Sequence, residues 1–233
     1  MKLINTSQTT ISKIKSNAKK LKKDLGITLS EALEKSAKDS GYSSFHHASV
    51  CFTKTKRLNL KQSISSIKLR VFDREETVRI EYEDDESISK VTDELDDYTQ
   101  NFFYGMDEMS YEELNNMIKI CEKLVKKEPA FIDGYAHLVG GLVTMGHHKD
   151  AINLGEPIME GLLELFKTAP KGYLINYYEL ANRPFFRLAH HVVLAYYGDQ
   201  KNDKARKLAK CLLKLWPNDN IGFRFLLTPP VDD

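Results

Sequence analysis

Cysteine is scarce. Cys51, Cys121 and Cys211 are the three in 233 residues, far apart and without a CxxC pair. Neither a disulfide framework nor a zinc site of paired thiolates is expected. Free, buried thiols in a reducing cytoplasm are the ordinary reading. Seven Pro and 12 Gly are too few for a low-complexity chain. No apolar run approaches the ~18 residues that span a bilayer. The opening MKLINTSQTT lacks the apolar core of a signal peptide. A cytoplasmic protein with no membrane partner is expected. Catalytic fingerprints are also lacking: there is no G-x-S-x-G, no Walker loop, no dinucleotide-binding glycine motif and no EF-hand loop. No cofactor and no catalytic residue are assigned. Three His-His pairs, at 46–47, 147–148 and 190–191, invite a metal reading. Neighbours on a helix diverge by about 100°, and a helical pair of ligands needs i, i+4 spacing, so no metal is expected.

Net charge is small, at +1, but its distribution is uneven. Residues 1–65 carry 13 Lys/Arg against 4 Asp/Glu, which is +9. Residues 66–113 carry 5 against 16, which is −11. Such blocks suggest an anionic partner for the first segment, or contact between the two segments.

The basic segment has helical periodicity. Ile11, Ile14, Ala18, Leu21 and Leu25 form one stripe, with Lys13, Lys15, Lys19, Lys20, Lys22 and Lys23 opposite. Gly26 suits a helix end, and Thr28 with Glu31 spells a capping box for a second helix. That helix turns Leu29, Ala32, Leu33, Ser36 and Ala37 inward and stops at Gly41. A short third helix holds Phe45, Ala48 and Phe52. Three helices with Ala37-x-x-x-Gly41 look like a helix-turn-helix variant. The lysine row is either a solvated helix face or a phosphate-binding face. On the second reading, Lys15, Lys19, Lys20, Lys22 and Lys23, with Lys54, Lys56 and Arg57 beyond, are the candidate nucleic-acid contacts. Lysine without arginine forks suits backbone contact rather than base readout.

In the acidic middle, Ile67, Leu69, Val71 and then Val78, Ile80, Tyr82 alternate around a polar turn, which fits a short β-hairpin. The acidic run at 83–97 is a solvated linker or helix face, or a contact for a basic surface. Tyr98, Phe102, Phe103 and Tyr104 are expected to tie this segment to the helix that follows.

From 110 onward five helical patterns follow, at 112–127, 131–145, 149–167, 184–197 and 202–215, with a last short one at 221–227. Pro129, Gly146, Gly198 and Pro217 separate them. Ala205 and Pro217 have the tetratricopeptide spacing of a small residue and a later Pro; Met117 and Pro129 repeat it, and Pro170 comes late after Ala151. The expected fold is mainly α: a basic three-helix module over 1–58, an acidic connecting segment over 59–109, and tetratricopeptide-like antiparallel helix pairs over 110–233. In that register Arg187, His190, Leu194 and Tyr197 face a partner-binding groove. Arg183, in the N-R-P turn with Asn182, either serves helix-pair salt bridges or holds a carboxylate there.

Two stretches resemble known families. ISKIKSNAKKLKKDLGITLSEALEKSAKDSGYSSFHH, at 11–47, is similar to a short N-terminal helical module of bacterial, often plasmid-borne proteins, some labelled glyoxalase-related. No glyoxalase-like domain follows it here. YELANRPF at 178–185 with LWPNDNIGFRF at 215–225 resembles the C-terminal repeat of the suppression-of-tumorigenicity family, with Trp216 in place of its first Asn. That resemblance implies a repeat fold and an interaction role; Asn220 or Asp219 would cap the last helix. The expected function is therefore an interaction protein binding a protein or peptide, with a basic module that contacts nucleic acid, as in a regulator, an antitoxin-like protein or a mobile-element accessory factor. The alternative is an enzyme or toxin with a pocket in the helical domain.

Overall fold

The computed structural model describes residues 3–99 and 109–228. The protein is mainly α, with a small three-stranded sheet. Its chain divides into two compact units, Met1–Asn59 and Leu60–Asp233.

The first unit is built on α1 (Gln8–Leu25), α2 (Leu29–Asp39) and most of α3 (Phe45–Gln62). Ser7 caps α1, and Gly26 ends it at φ +66°. The Thr28–Glu31 capping box starts α2, and its hydrogen bonds hold the Glu31 carboxyl below the usual carboxylate range. Gly41 turns the chain at φ +87°, a conformation that costs glycine little. Ile11, Ile14, Ala37, Tyr42, Ala48 and Cys51 make a small core. Ser36 lets the first two helices approach, because its hydroxyl donates to the Ile14 carbonyl at 3.0 Å. Leu29 is exposed rather than inward. The third helix is 18 residues long instead of short, since nothing in 53–62 breaks it.

The second unit contains the expected hairpin. Strands β1 (Ile67–Phe72) and β2 (Thr77–Tyr82) are antiparallel, with Leu69 opposite Ile80 and Arg70 opposite Arg79. The two facing guanidiniums sit over the Phe72 ring and share the carboxylate of Glu81. A two-residue strand, β3 (Leu174–Ile175), joins β2 in parallel; the sequence gives no sign of it. The acidic run forms α4 (Asp85–Thr99), which packs Val91 and Leu95 against α5 (Tyr111–Lys127). Glu94 pairs with Lys127, and the Tyr98 hydroxyl donates to the Glu113 carbonyl at 3.3 Å. Phe102, Phe103 and Tyr104 lie outside the described residues.

Helices α6 (Ile132–Thr144), α7 (His148–Phe166), α8 (Arg183–Gly198) and α9 (Asn202–Leu215) follow. Short links from α5 to α6, α6 to α7 and α8 to α9 fold these packed neighbours back on one another as antiparallel pairs. Small residues set the separations: a Cβ on Gly155 of α7 would meet Val192 of α8 at 2.6 Å. Between α7 and α8 the chain makes an excursion over 167–182. It supplies β3, and the Tyr173 hydroxyl donates to Asp73 at 2.9 Å. Late Pro170 belongs to this excursion. The last helical element is a single 3-10 turn, Phe225–Leu227.

Candidate functional site

A cleft of about 430 Å³ opens between the N-terminal half of α8, the start of α6, α4 and the end of β2. Its apolar walls include Tyr82, Ile88, Phe131 and Leu180, the last 70% exposed. Its charged groups are Asp96, Asp133, Arg183 and Arg187.

Arg187 reaches across from α8 to the first turn of α6. Its Nε and Nη2 donate to Asp133 Oδ1 at 3.0 and 2.7 Å, and Nη2 also donates to Oδ2 at 2.7 Å. This forked geometry is the strong form of the ion pair. Arg183 differs. Its guanidinium lies over the Tyr177 ring at 5.4 Å and has no carboxylate partner among the described residues. Its Nε is buried without a hydrogen-bond acceptor. A buried donor left unpaired is costly.

Asn182, beside them in the N-R-P turn, has another role. It is fully buried. Its Oδ1 accepts from Ile80 N–H at 2.9 Å, and its Nδ2 donates to the carbonyls of Val78 and Asn176, both at 2.9 Å. The amide thus stands in for a strand residue along β2. It anchors the turn that presents Arg183.

Behind Arg187 lies a histidine cluster. His137 Nε2 is 3.8 Å from Asp133, one helical turn away. Burial lowers the His137 pKa despite that carboxylate, and its Nδ1 has no partner. Burial, and then the charges of His190, His137 and Arg187, push His191 down to about 3. Burial raises the Tyr82 phenol, and Asp133 adds to the rise. At neutral pH these three groups are therefore uncharged.

The row expected to face a groove is divided. Arg187, like Arg183, lines the cleft. His190 lies against Phe223, with ring centroids 6.2 Å apart. Leu194 is half-buried. Tyr197 is buried, and its hydroxyl donates to the Leu226 carbonyl at 2.6 Å. The segment after α9 folds over this end of the row. Asp219 holds that segment: its carboxylate accepts from the N–H groups of Gly222, Phe223 and Arg224 and from Arg224 Nε. Asn220 instead accepts from Trp216 Nε1 at 2.8 Å. Neither expected residue caps the final 3-10 turn, whose N-cap residue, Arg224, makes no side-chain capping bond; Asp219 braces the turn that leads into it.

Compared with known proteins, the chain matches no family model, no curated relative and no solved structure.

The second candidate surface is the outer face of α1. Ile11, Ile14 and Ala18 are buried, and Lys13, Lys15, Lys19, Lys20, Lys22 and Lys23 are all exposed. None of these lysines has an ion-pair partner among the described residues. Lys54 and Lys56, on α3, are exposed, and Arg57 is half-buried. The histidine pairs are placed differently. His47 accepts from Ser43 at the start of α3, the His148 ring lies on Gly198, and His190 stacks edge-on with His191. Among the described residues no three His, Cys, Asp or Glu gather as metal ligands, and no helix is long and apolar enough to cross a membrane.

The walls given by Tyr82, Ile88, Thr92 and Asp96 went unrecognised in the sequence because they fall in the acidic stretch. Ile88, Val91 and Leu95, at helical spacing within that run, are the signal that α4 is a packed element.

Proposed function

We propose that this is a non-enzymatic interaction protein. Its second unit acts as a tetratricopeptide-like array of helix pairs that holds a protein or peptide partner through a carboxylate seated in the α4–α6–α8 cleft. The observation that carries this reading is Arg183, whose guanidinium has no carboxylate partner and whose buried Nε has no acceptor among the described residues. The apolar walls beside it suit the residues that flank an acidic side chain or a chain terminus. Asp133, the carboxylate on which a general-base role would draw, has both oxygens occupied by Arg187, which favours binding over catalysis. The test is a peptide library displayed with free or amidated C-termini. Wild-type protein enriches peptides with an acidic side chain or free carboxylate, and Arg183→Ala loses that enrichment by about tenfold, the effect of roughly 1.4 kcal/mol. Identical peptide profiles for the two proteins would end the reading.

A specific observation favours a second activity. Six exposed lysines on α1, without ion pairs among the described residues, are an electrostatic footprint for phosphate. We assign to this face weak contact with nucleic acid, without strong sequence preference. Full-length protein binds duplex DNA in an anisotropy titration at low salt, and reversing Lys19, Lys20, Lys22 and Lys23 to Glu abolishes the part owed to α1. An unchanged isotherm for that variant would remove the assignment.

A further inference from the structure

Helix α9 buries Ala205, Ala209 and Leu212 against the second unit. Its opposite face carries Lys207, Lys210 and Lys214, all exposed and without an ion-pair partner among the described residues. Lys204, on the same helix, is instead tied to Glu156 at 2.7 Å. Arg206 pairs with Asp203, whose side chain is 99% exposed, and an exposed pair of that kind is weak. These side chains form two ridges one helical turn apart in spacing. Asp203, Lys207 and Cys211 make one, and Arg206, Lys210 and Lys214 the other. Between them runs a trough of about 520 Å³. At ~1.5 Å rise per residue, Lys207 to Lys214 extends about 10 Å, which sets three ammonium groups along a short run of one strand.

Cys211 lines this trough and reports the field there. Burial raises its pKa, while Lys214, Lys167 and Lys207 all pull it the other way. Three ammonium groups from α9 and the end of α7 thus act on one point. We infer that the α9 trough is a second nucleic-acid contact, which takes the phosphodiester backbone of a strand. Ammonium groups bind phosphate as point charges, without the directional demand of a guanidinium fork. An acidic peptide would have to bring its carboxylates past Asp203, whose exposed side chain lines the same trough. A membrane surface would require large apolar residues among the lysines, and the trough offers Cys211 in that position.

The inference does not rest on the α1 reading, and one experiment separates them. Full-length protein is titrated with labelled oligothymidylate over a series of salt concentrations. Three variants are compared: Lys207, Lys210 and Lys214 to Glu; Lys19, Lys20, Lys22 and Lys23 to Glu; and the two sets combined. Loss of three phosphate contacts lowers the slope of log affinity against log salt by about 2, at ~0.7 per contact for a single strand. The α9 variant shows that drop whether or not the α1 lysines are intact. The bound strand also slows alkylation of Cys211, while Cys51 and Cys121 are buried. Replacement of the same α9 lysines by Ala, which favours helix, gives the same loss with an unchanged Trp216 fluorescence transition. An unchanged salt slope for both α9 variants overturns the inference. So does equal Cys211 alkylation with and without the strand, or tighter α9 binding of a polyglutamate of equal charge.

Discussion

The two units use their carboxylates differently. In the second, largely buried acids hold cations, Asp219 beside its backbone donors: Asp133 holds Arg187, Glu156 holds Lys204, and Asp219 holds Arg224. In the first, Glu31 caps α2 and Glu34 accepts from Phe45 N–H at the start of α3. Backbone donors thus take the acids, and the α1 lysines are left in solvent. The cores differ too. A small cluster of six buried residues supports the first unit, whereas the second interleaves hairpin, helices and the segment after α9 in a large cluster. A unit with much buried apolar surface can hold a shaped cleft; one with little can offer an exposed face.

Acid provides the largest perturbation of this contrast. The folded pKa of His191 is about 3, below the ordinary ~6.5 of an unfolded chain. Between those values the unfolded chain binds the proton and the folded one does not. Stability of the second unit is therefore full above about pH 6.5 and falls toward pH 3, by roughly 1.4 kcal/mol per pH unit at its steepest. Burial of His137 acts in the same direction. The single tryptophan, Trp216, lies in the second unit, so its fluorescence in urea follows that unit by itself. His191→Gln should flatten the profile; an equally steep one would contradict it.

Asn182→Ala comes next. It removes the partner of a buried N–H and a carbonyl on β2 and of the Asn176 carbonyl after β3, and about 3 kcal/mol should be lost from the Trp216 transition. Hydrogen exchange in α1 and α2 should be unaffected, which tests whether the units unfold separately.

Gly155→Ala is smaller. The new methyl meets Val192, whose β-branched side chain has few rotamers, and overpacking of this kind costs about 2 kcal/mol. Smallest is Thr28→Ala, which removes the α2 cap for about 1 kcal/mol. It should raise exchange in α2 and leave Trp216 unchanged. A shift of both probes by Thr28→Ala would show that the units are coupled.

Most of the helical framework was legible because its stop signals are local. Pro129, Gly146, Gly198 and Pro217 end α5, α6, α8 and α9 within one or two residues of where they stand. The third helix of the first unit was read too short, because Lys54, Lys56 and Arg57 interrupt its apolar stripe without breaking its backbone. Strand β3 has two residues and a partner about a hundred positions away, so no local period encodes it. The cleft was half legible. Arg183 and Arg187 were picked out, but their apolar walls come from a stretch whose acidity hides its packing positions. Asn182 was singled out beside them as a groove residue, and its amide serves the sheet instead.

That amide also bears on solubility. A lone hairpin presents two open edges, each a template on which another chain can add a strand. Here β3 and the Asn182 side chain occupy the far edge of β2. The two-residue β3 is one edge strand; the long one is β1, where Lys68 and Arg70 alternate with apolar neighbours and are exposed. A second copy arriving in register would bring like charges together along that edge. The sheet thus ends on one side in a strand of two residues extended by a side chain, and is guarded on the other by charge. Asn182→Ala should therefore promote aggregation as well as lower stability, whereas Gly155→Ala, far from the strand edge, should only destabilise.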